Sequence, residues 1–158
     1  MTSALNLTLK IKQTPETLAK LQAIKAGFAH GIQQKIDAAL RDSQIVHYAR
    51  VLVIDDLYIQ VITEFDGDKK AYTEFFRAKL PDVFATIFSL AENPPTAADL
   101  VDPDAFYRFS RDKNLSALGT DGLTEEDRGS AKDEGFFFCA YPSVLVKDIL
   151  AANPPAGN

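Results

Sequence analysis

The chain has 158 residues, of which 46% are hydrophobic and 25% charged, and this composition predicts one domain over residues 1–158 with enough chain for a core. Its formal charge is −5 and its lysines and arginines are scattered, so it lacks the basic surface that nucleic-acid binding requires. No apolar run reaches the roughly 18 residues of a membrane helix and the N-terminus has no signal-peptide pattern, so we expect a cytoplasmic protein with neither nucleic acid nor membrane as partner.

The first part of the chain has the pattern of a strand followed by helix. In ALNLTLKIKQ, residues 4–13, leucine and isoleucine alternate with polar residues, which is typical of a half-buried strand. Thr14 is then a candidate N-cap, with Pro15 at the first helical position. Helical apolar spacing continues into the early forties, but Gly27 and Gly31 interrupt it, so the pattern predicts one long helix or two consecutive helices.

An apolar β-hairpin follows in SQIVHYARVLVIDDLYIQVITEFDGD, residues 43–68. Asp55 and Asp56 are its predicted two-residue turn, because aspartate tolerates the left-handed backbone of such turns. With that turn, His47 lies directly opposite Glu64. The face that carries this pair is the less apolar one, so we expect it to stay open while the other face packs against helices.

The next part of the chain is predicted to contain a second long helix and an insertion. Residues 69–91 have helical apolar spacing, which Pro81 interrupts with a kink. The proline-rich stretch 92–134 is interpreted as an insertion before the last strand. It contains a short helix at residues 103–111, for which Asp102 is the candidate cap.

The aromatic stretch GFFFCAY, residues 135–141, predicts the last strand. A short helix is expected around residues 143–152, before a disordered tail over residues 152–158. The order strand, helix, strand, strand, helix, insertion, strand predicts an α+β fold of ferredoxin-like βαββαβ type. In that fold a four-stranded antiparallel sheet has both helices on one face.

His47 and Glu64 are the candidate catalytic residues. A carboxylate orients an imidazole, and such a pair suits acid/base chemistry or ligand binding. The alternative is a cross-strand ion pair without chemistry, which is a common device in sheets.

Tyr58, Gln60 and Arg50 are the candidate ligand-binding residues. Tyr58 and Gln60 share the open face with His47, whereas Arg50 is expected on the helix-packed face, where it must reach solvent or pair with a carboxylate. Apolar residues such as Ile62 also lie on the open face, and exposed apolar surface of this kind marks an interface or a groove. We therefore expect a homodimer with a small-molecule pocket against this face.

No metal site is predicted. TEFDGD places Glu64, Asp66 and Asp68 at alternate positions, as in calcium loops, but the rest of such a loop with its final glutamate is missing. Asp68 is better explained as the N-cap of the following helix. A single cysteine, Cys139, excludes a zinc site built on cysteines and is interpreted as a small buried residue.

IVHYARVLVID and YIQVITEFDGD, with the aromatic helix after them, resemble a group of bacterial ferredoxin-like domains whose hairpin reads roughly hHFARhhhh...hhhhhhFDG, where h is apolar. These domains look like relatives of the dimeric α+β barrel superfamily. That superfamily contains dye-decolourising peroxidases, chlorite dismutases and small cofactor-independent monooxygenases. The likeness covers about the first ninety residues and, more faintly, FCAYPSVLVKDIL. It implies the fold, and as an alternative function a monooxygenase-like or haem-dependent peroxidase-like enzyme.

The sequence departs from the haem-binding pattern. Dye-decolourising peroxidases carry a G-x-x-D-G motif and a downstream haem-ligating histidine. Here GTDG at residues 119–122 is one residue short, and both His30 and His47 precede it. We therefore predict no cofactor, with haem as the alternative, and a ligand-binding protein as the leading hypothesis.

Overall fold

A computed structural model describes residues 2–119, 135–138, 140 and 144–154. At its centre is an antiparallel sheet of three strands in the order β1-β3-β2. The strands are β1 (Thr2–Lys10), β2 (Val46–Ile54) and β3 (Tyr58–Asp66). The alternating leucines therefore form a strand, and the apolar hairpin forms β2 and β3, as predicted.

The described residues also form seven α-helices and one short 3₁₀ helix. The α-helices are α1 (Pro15–Gly27), α2 (Ile32–Ser43), α3 (Lys69–Lys79), α4 (Pro81–Phe88), α5 (Ala97–Val101), α6 (Pro103–Asp112) and α7 (Val146–Ala152), and the 3₁₀ helix spans Phe28–His30. Thr14, Asp68 and Asp102 accept backbone N–H bonds at 3.2, 2.8 and 2.9 Å at the starts of α1, α3 and α6. These three predicted caps are confirmed.

Both long predicted helices are split in two. The pattern around Gly27 and Gly31 gives a 3₁₀ turn between α1 and α2. Leu80 ends α3 with its N–H bonded to the Phe76 carbonyl at 2.8 Å, and Pro81 then starts α4. A proline lacks the N–H that a continuous helix needs, but its fixed φ suits a first helical position. The proline therefore separates two helices, where we expected a kink in one.

The predicted four-stranded sheet of the ferredoxin-like fold is wrong. Residues 135–138 and 140, the described part of the expected last strand, lie in neither a helix nor a strand. Cys139, which belongs to the same expected strand, lies outside the described residues. The place beside β1 where a fourth strand of that fold would pair is taken by the segment that follows α6.

This segment satisfies the backbone groups at the outer edge of β1. Thr8 N–H donates to the Lys113 carbonyl at 2.9 Å, and Leu115 N–H donates to the Asn6 carbonyl at 3.0 Å. The side chain of Asn114, 7% exposed, accepts the Asn6 N–H at 2.7 Å. An edge strand presents unpaired backbone groups that need partners, and here a loop and one asparagine supply them.

The hairpin turn has three residues, not the predicted two. Asp55 and Asp56 adopt left-handed φ values of 51° and 55°, which is the backbone conformation that the sequence predicted for them. Leu57 also belongs to the turn, so that Ile54 pairs with Tyr58. The pairing of β2 with β3 is therefore shifted by one residue from the predicted one.

The shift exchanges the two faces of β2, because side chains alternate along a strand. Val51 faces Val61 on the helix side, whereas Arg50 lies opposite Ile62 on the other side. The prediction that Arg50 lies on the helix-packed face is wrong for this reason. The arginine is exposed and has no need of a buried partner.

The helices α1 to α4 and α6 pack on one face of the sheet and bury its apolar residues. Leu7, Leu9 and Ile59 are at most 3% exposed. Phe65 of β3 stacks on Tyr72 of α3 with 3.8 Å between ring centroids. The opposite face, called the open face below, carries the alternate residues of the same strands.

We expect Asn114→Ala to lower the free energy of unfolding by about 1–3 kcal/mol, because it leaves the partly buried Asn6 N–H without an acceptor. Urea denaturation monitored by circular dichroism measures the change. The matched control is Asn93→Ala, since Asn93 is exposed. Equal effects of the two substitutions would contradict a role for Asn114 in covering the edge of β1.

Candidate functional site

Three of the predicted site residues lie in one line on the open face of β3. Tyr58, Gln60 and Glu64 are separated by even numbers of residues and therefore point to the same side of the strand. The six steps along the strand from Tyr58 to Glu64 correspond to about 20 Å. The structure therefore divides the predicted site between two ends of the open face.

At one end, His47 binds Asp66 and not its predicted partner Glu64. A β-bulge between Val46 and Tyr48 interrupts the ladder and places Tyr48 opposite Glu64. His47 Nε2 lies 2.9 Å from Oδ1 of Asp66, and the two side chains are only 13% and 11% exposed. His47 thus has a carboxylate as its partner, but a different one from the predicted Glu64.

Asp66 also holds the C-terminal helix. Its Oδ2 accepts the N–H of Val146, the first residue of α7, at 2.7 Å. Its Oδ1 accepts the Thr2 hydroxyl at 3.0 Å. We call Thr2, His47, Asp66 and Val146 the Asp66 cluster. One carboxylate therefore connects all three strands with a helix that lies 80 residues further along the chain.

The pKa of Asp66 is lower than that of an ordinary aspartate. Burial raises it, but the hydrogen bonds that the carboxylate accepts outweigh burial, first the one from the Val146 N–H and then those from His47 and Thr2. Hydrogen bonds to the charged form of a group stabilise that form. Asp66 is therefore an ionised and fully bonded carboxylate, which suits anchoring better than proton transfer.

Glu64 lies between this cluster and Arg50. Burial raises the pKa of Glu64, and the charges of Arg50 and His47 offset part of that effect. Within the described residues, no hydrogen bond joins the Glu64 carboxylate to either of them. The catalytic roles of His47 and Glu64 stay predictions, and only a Coulombic interaction links the two side chains.

At the other end, Tyr58 and Gln60 line a groove of about 450 Å³ on the open face. All three strands contribute to it, together with the two segments that border β1. Other residues that line the groove include Thr8, Lys10, Ile54, Glu92, Lys113 and Leu115. The structure thus brings together two of the three predicted ligand-binding residues and leaves Arg50 outside the groove.

Hydrogen bonds hold the polar part of the groove in place. Gln60 Nε2 donates to the Thr8 hydroxyl oxygen at 2.9 Å, and that hydroxyl donates to the Asn6 carbonyl at 3.1 Å. Lys10 Nζ lies 3.1 Å from Glu92 Oε1. The amide of Gln60 therefore has a defined orientation before any ligand arrives.

Two residues important to these sites were not predicted from the sequence. Asp66 was considered only as part of the acidic run in TEFDGD, although a carboxylate at the end of an apolar strand is a signal for a buried bond. Lys113 has no such signal, because it reaches the groove only through the pairing of its segment with β1.

The described residues contain no group of three or more His, Cys, Asp or Glu side chains that could hold a metal ion. None of their helices is long and apolar enough to cross a membrane. Comparison of the chain with models of protein families, with curated proteins and with solved structures found no match. The resemblance to the dimeric α+β barrel superfamily therefore stays a prediction, and the site must be argued from its own geometry.

We expect Asp66→Asn to lower the free energy of unfolding by about 1.5–3 kcal/mol at pH 7, since it weakens charge-assisted hydrogen bonds. Faster hydrogen exchange in α7 should accompany this loss, because Asp66 bonds the first N–H of that helix. Asp55→Asn is the control, because it makes the same chemical change at an exposed turn position that asparagine tolerates.

The same pair of proteins tests the ionisation of Asp66. Its folded-state pKa lies below the ordinary value of 3.8, so the stability it contributes is fully present well above that value. This stability is lost as the pH falls through the lower folded-state pKa. The difference in unfolding free energy between wild type and Asp66→Asn should therefore be large at pH 7 and shrink as the pH falls below the ordinary pKa of 3.8. A difference that does not change with pH would contradict an ionised Asp66.

Proposed function

We propose that the protein is a binding protein for a small aromatic carboxylate, which it holds in the groove on the open face. The observation that supports this proposal is the composition of the groove. Tyr58 and Ile54 offer apolar surface, Gln60 offers an oriented amide, and two lysines border the space. Pockets that bind small molecules combine an apolar lining with a few placed polar groups in this way.

The lysines differ in their partners, and this difference favours an anionic ligand. Lys10 is paired with Glu92. Lys113 forms no ion pair with any described residue, and it is half-buried at the groove. A carboxylate beside Lys113 would gain a charge-assisted hydrogen bond, while its ring would cover Tyr58.

The amide oxygen of Gln60 adds selectivity. Its Nε2 is bonded to Thr8, so the amide presents Oε1, which accepts no hydrogen bond from the described residues. A ligand with a hydroxyl or N–H on its ring can donate to this oxygen. We therefore expect hydroxylated aromatic carboxylates to bind more tightly than unsubstituted ones.

We also propose that the protein forms a homodimer through the open face. Leu52, Ile54 and Tyr58 lie next to one another on the open side of β2 and β3, and Tyr48, which is 74% exposed, lies on the same side beyond Arg50. Large apolar side chains grouped on one face are typical of interfaces. A second copy over this face would also close the groove, which joins the two proposals in one assembly.

Binding can be measured by isothermal titration calorimetry with 6-hydroxy-2-naphthoate as the probe. We expect Lys113→Gln to weaken binding about tenfold or more, because a hydrogen bond to a charged group contributes about 1.5–3 kcal/mol. Tyr58→Ala should weaken it as well through the loss of ring contact. The control Lys35→Gln removes the same charge from the exposed surface of α2 and should leave the affinity unchanged.

Two outcomes would contradict the proposed site. The first is an absence of heat of binding for folded wild type over the millimolar range. The second is an equal loss of affinity in Lys35→Gln and Lys113→Gln, which would mean that the overall charge attracts the probe.

The dimer is tested separately by sedimentation velocity. We expect wild type to sediment as a dimer and Leu52→Asp as a monomer, because a charge in a buried apolar contact is strongly unfavourable. Val101→Asp is the control, since Val101 is 73% exposed on α5, away from the sheet. A monomeric wild type at tens of micromolar would exclude a stable dimer.

A further inference from the structure

A second cavity lies on the opposite side of the sheet from the groove, under the helices. This cleft has a volume of about 320 Å³ and lies between α2, the strands β2 and β3, and the helices α3 and α4. Most of its lining is apolar, as in Ile36, Leu40, Val51, Val61, Phe76 and Phe84. Its volume is at the lower end of the range of about 300–1,000 Å³ that is typical of ligand pockets.

The cleft exists because the helices do not close over β2. Val51 and Val61 face the helix side of the sheet but are only half-buried. Their neighbour Ala49 has too small a side chain to fill the gap. An open cleft lined mainly by apolar side chains is the kind of concave surface that binds small molecules.

The inner part of the cleft carries two buried hydroxyl groups. The Tyr72 hydroxyl donates to Thr63 Oγ1 at 2.9 Å, and the two residues are 6% and 3% exposed. The Thr63 hydroxyl can accept this bond and also donate one of its own. No described residue accepts that second bond, so a buried donor remains available at the cleft.

We propose that this cleft binds an uncharged molecule that has an apolar body and one hydrogen-bond acceptor, such as a medium-chain ketone or ester. The acceptor oxygen would take the hydrogen bond that Thr63 has available, and the body would cover Val51 and Val61. A buried donor without a partner is unfavourable, and such a ligand gives it a partner.

The surroundings of Thr63 disfavour a charged ligand group. Burial raises the pKa of Tyr72, so its hydroxyl stays neutral. The charged residues along the cleft are Asp37, which is exposed on α2, and Arg50, which strand alternation directs to the open face. A carboxylate at Thr63 would therefore be buried without a cation, which is strongly unfavourable.

The experiment uses N-phenyl-1-naphthylamine, a neutral fluorescent probe, with the full chain, which contains no tryptophan to interfere. We expect the probe to bind wild type and to be displaced by 2-nonanone at least tenfold more effectively than by nonanoate at pH 7. Equal displacement by ketone and carboxylate would overturn the assignment of a neutral ligand. No binding of the probe to wild type would overturn the site.

Thr63→Val tests the polar contact, since it removes the hydroxyl and keeps the shape. We expect it to weaken 2-nonanone binding by five- to tenfold. The matched control is Thr73→Val, because Thr73 is a buried threonine of α3 whose hydroxyl bonds the Lys69 carbonyl at 2.7 Å. Unchanged ketone affinity in Thr63→Val, or an equal loss in the control, would overturn the role of Thr63.

Filling the cleft tests its location. Ala49→Leu and the larger Ala49→Phe should each abolish probe binding, while the circular dichroism spectrum stays that of the folded protein. If Ala49→Phe does not fold, Ala49→Leu alone provides the test. Tyr58→Ala, which lies on the opposite face of the sheet, should leave probe binding unchanged. Probe binding that persists in a folded Ala49 variant and disappears in Tyr58→Ala would assign the probe to the groove and overturn this inference, independently of the carboxylate titration.

Discussion

Hydrogen bonding of β3 to strands on both sides is the constraint on which the rest of this structure depends. A central strand has no freedom to slide or to turn over, because either movement breaks two ladders at once. Its alternate side chains therefore have fixed and opposite environments. Thr63 and Phe65 face the helices and the cleft, while Gln60 and Glu64 face the open side. Residues of β3 therefore line both proposed binding sites, one on each face of the sheet.

Local signals in the sequence were enough to predict most elements. The alternating leucines, the proline after Thr14 and the aspartates at 68 and 102 act through neighbouring residues, and the structure agrees with each of them. The predicted length of the hairpin turn was wrong because Asp55 and Asp56 can adopt the expected left-handed backbone in turns of either two or three residues. The prediction of a fourth strand was wrong because tertiary contacts decide which segment of the chain pairs with the edge of β1. The sequence of residues 113–115 has no local signal that this segment occupies the edge.

The candidate site was predictable in the same uneven way. Strand alternation alone places Tyr58 and Gln60 on one face of β3, and that part of the assignment does not depend on the turn. The pairing of His47 with Glu64 did depend on it, and the bulge beside Val46 changed it again. A bulge has no clear sequence signal, because it depends on which partner a side chain finds, here the carboxylate of Asp66. The cleft could not be predicted at all, since it results from the spacing between helices.

The covering of β1 has a consequence for how this chain behaves when it is cut or incompletely made. With residues 113–115 in place, β1 has partners for several of its outer backbone groups, whereas no described strand pairs with the outer edge of β2. A fragment that stops before residue 113 would keep all three strands but present unpaired backbone on both sides of the sheet. Such a fragment could add further strands in two directions, which is the condition for open-ended fibrous aggregation. A short loop with one buried asparagine thus covers part of an edge to which further strands would otherwise have access.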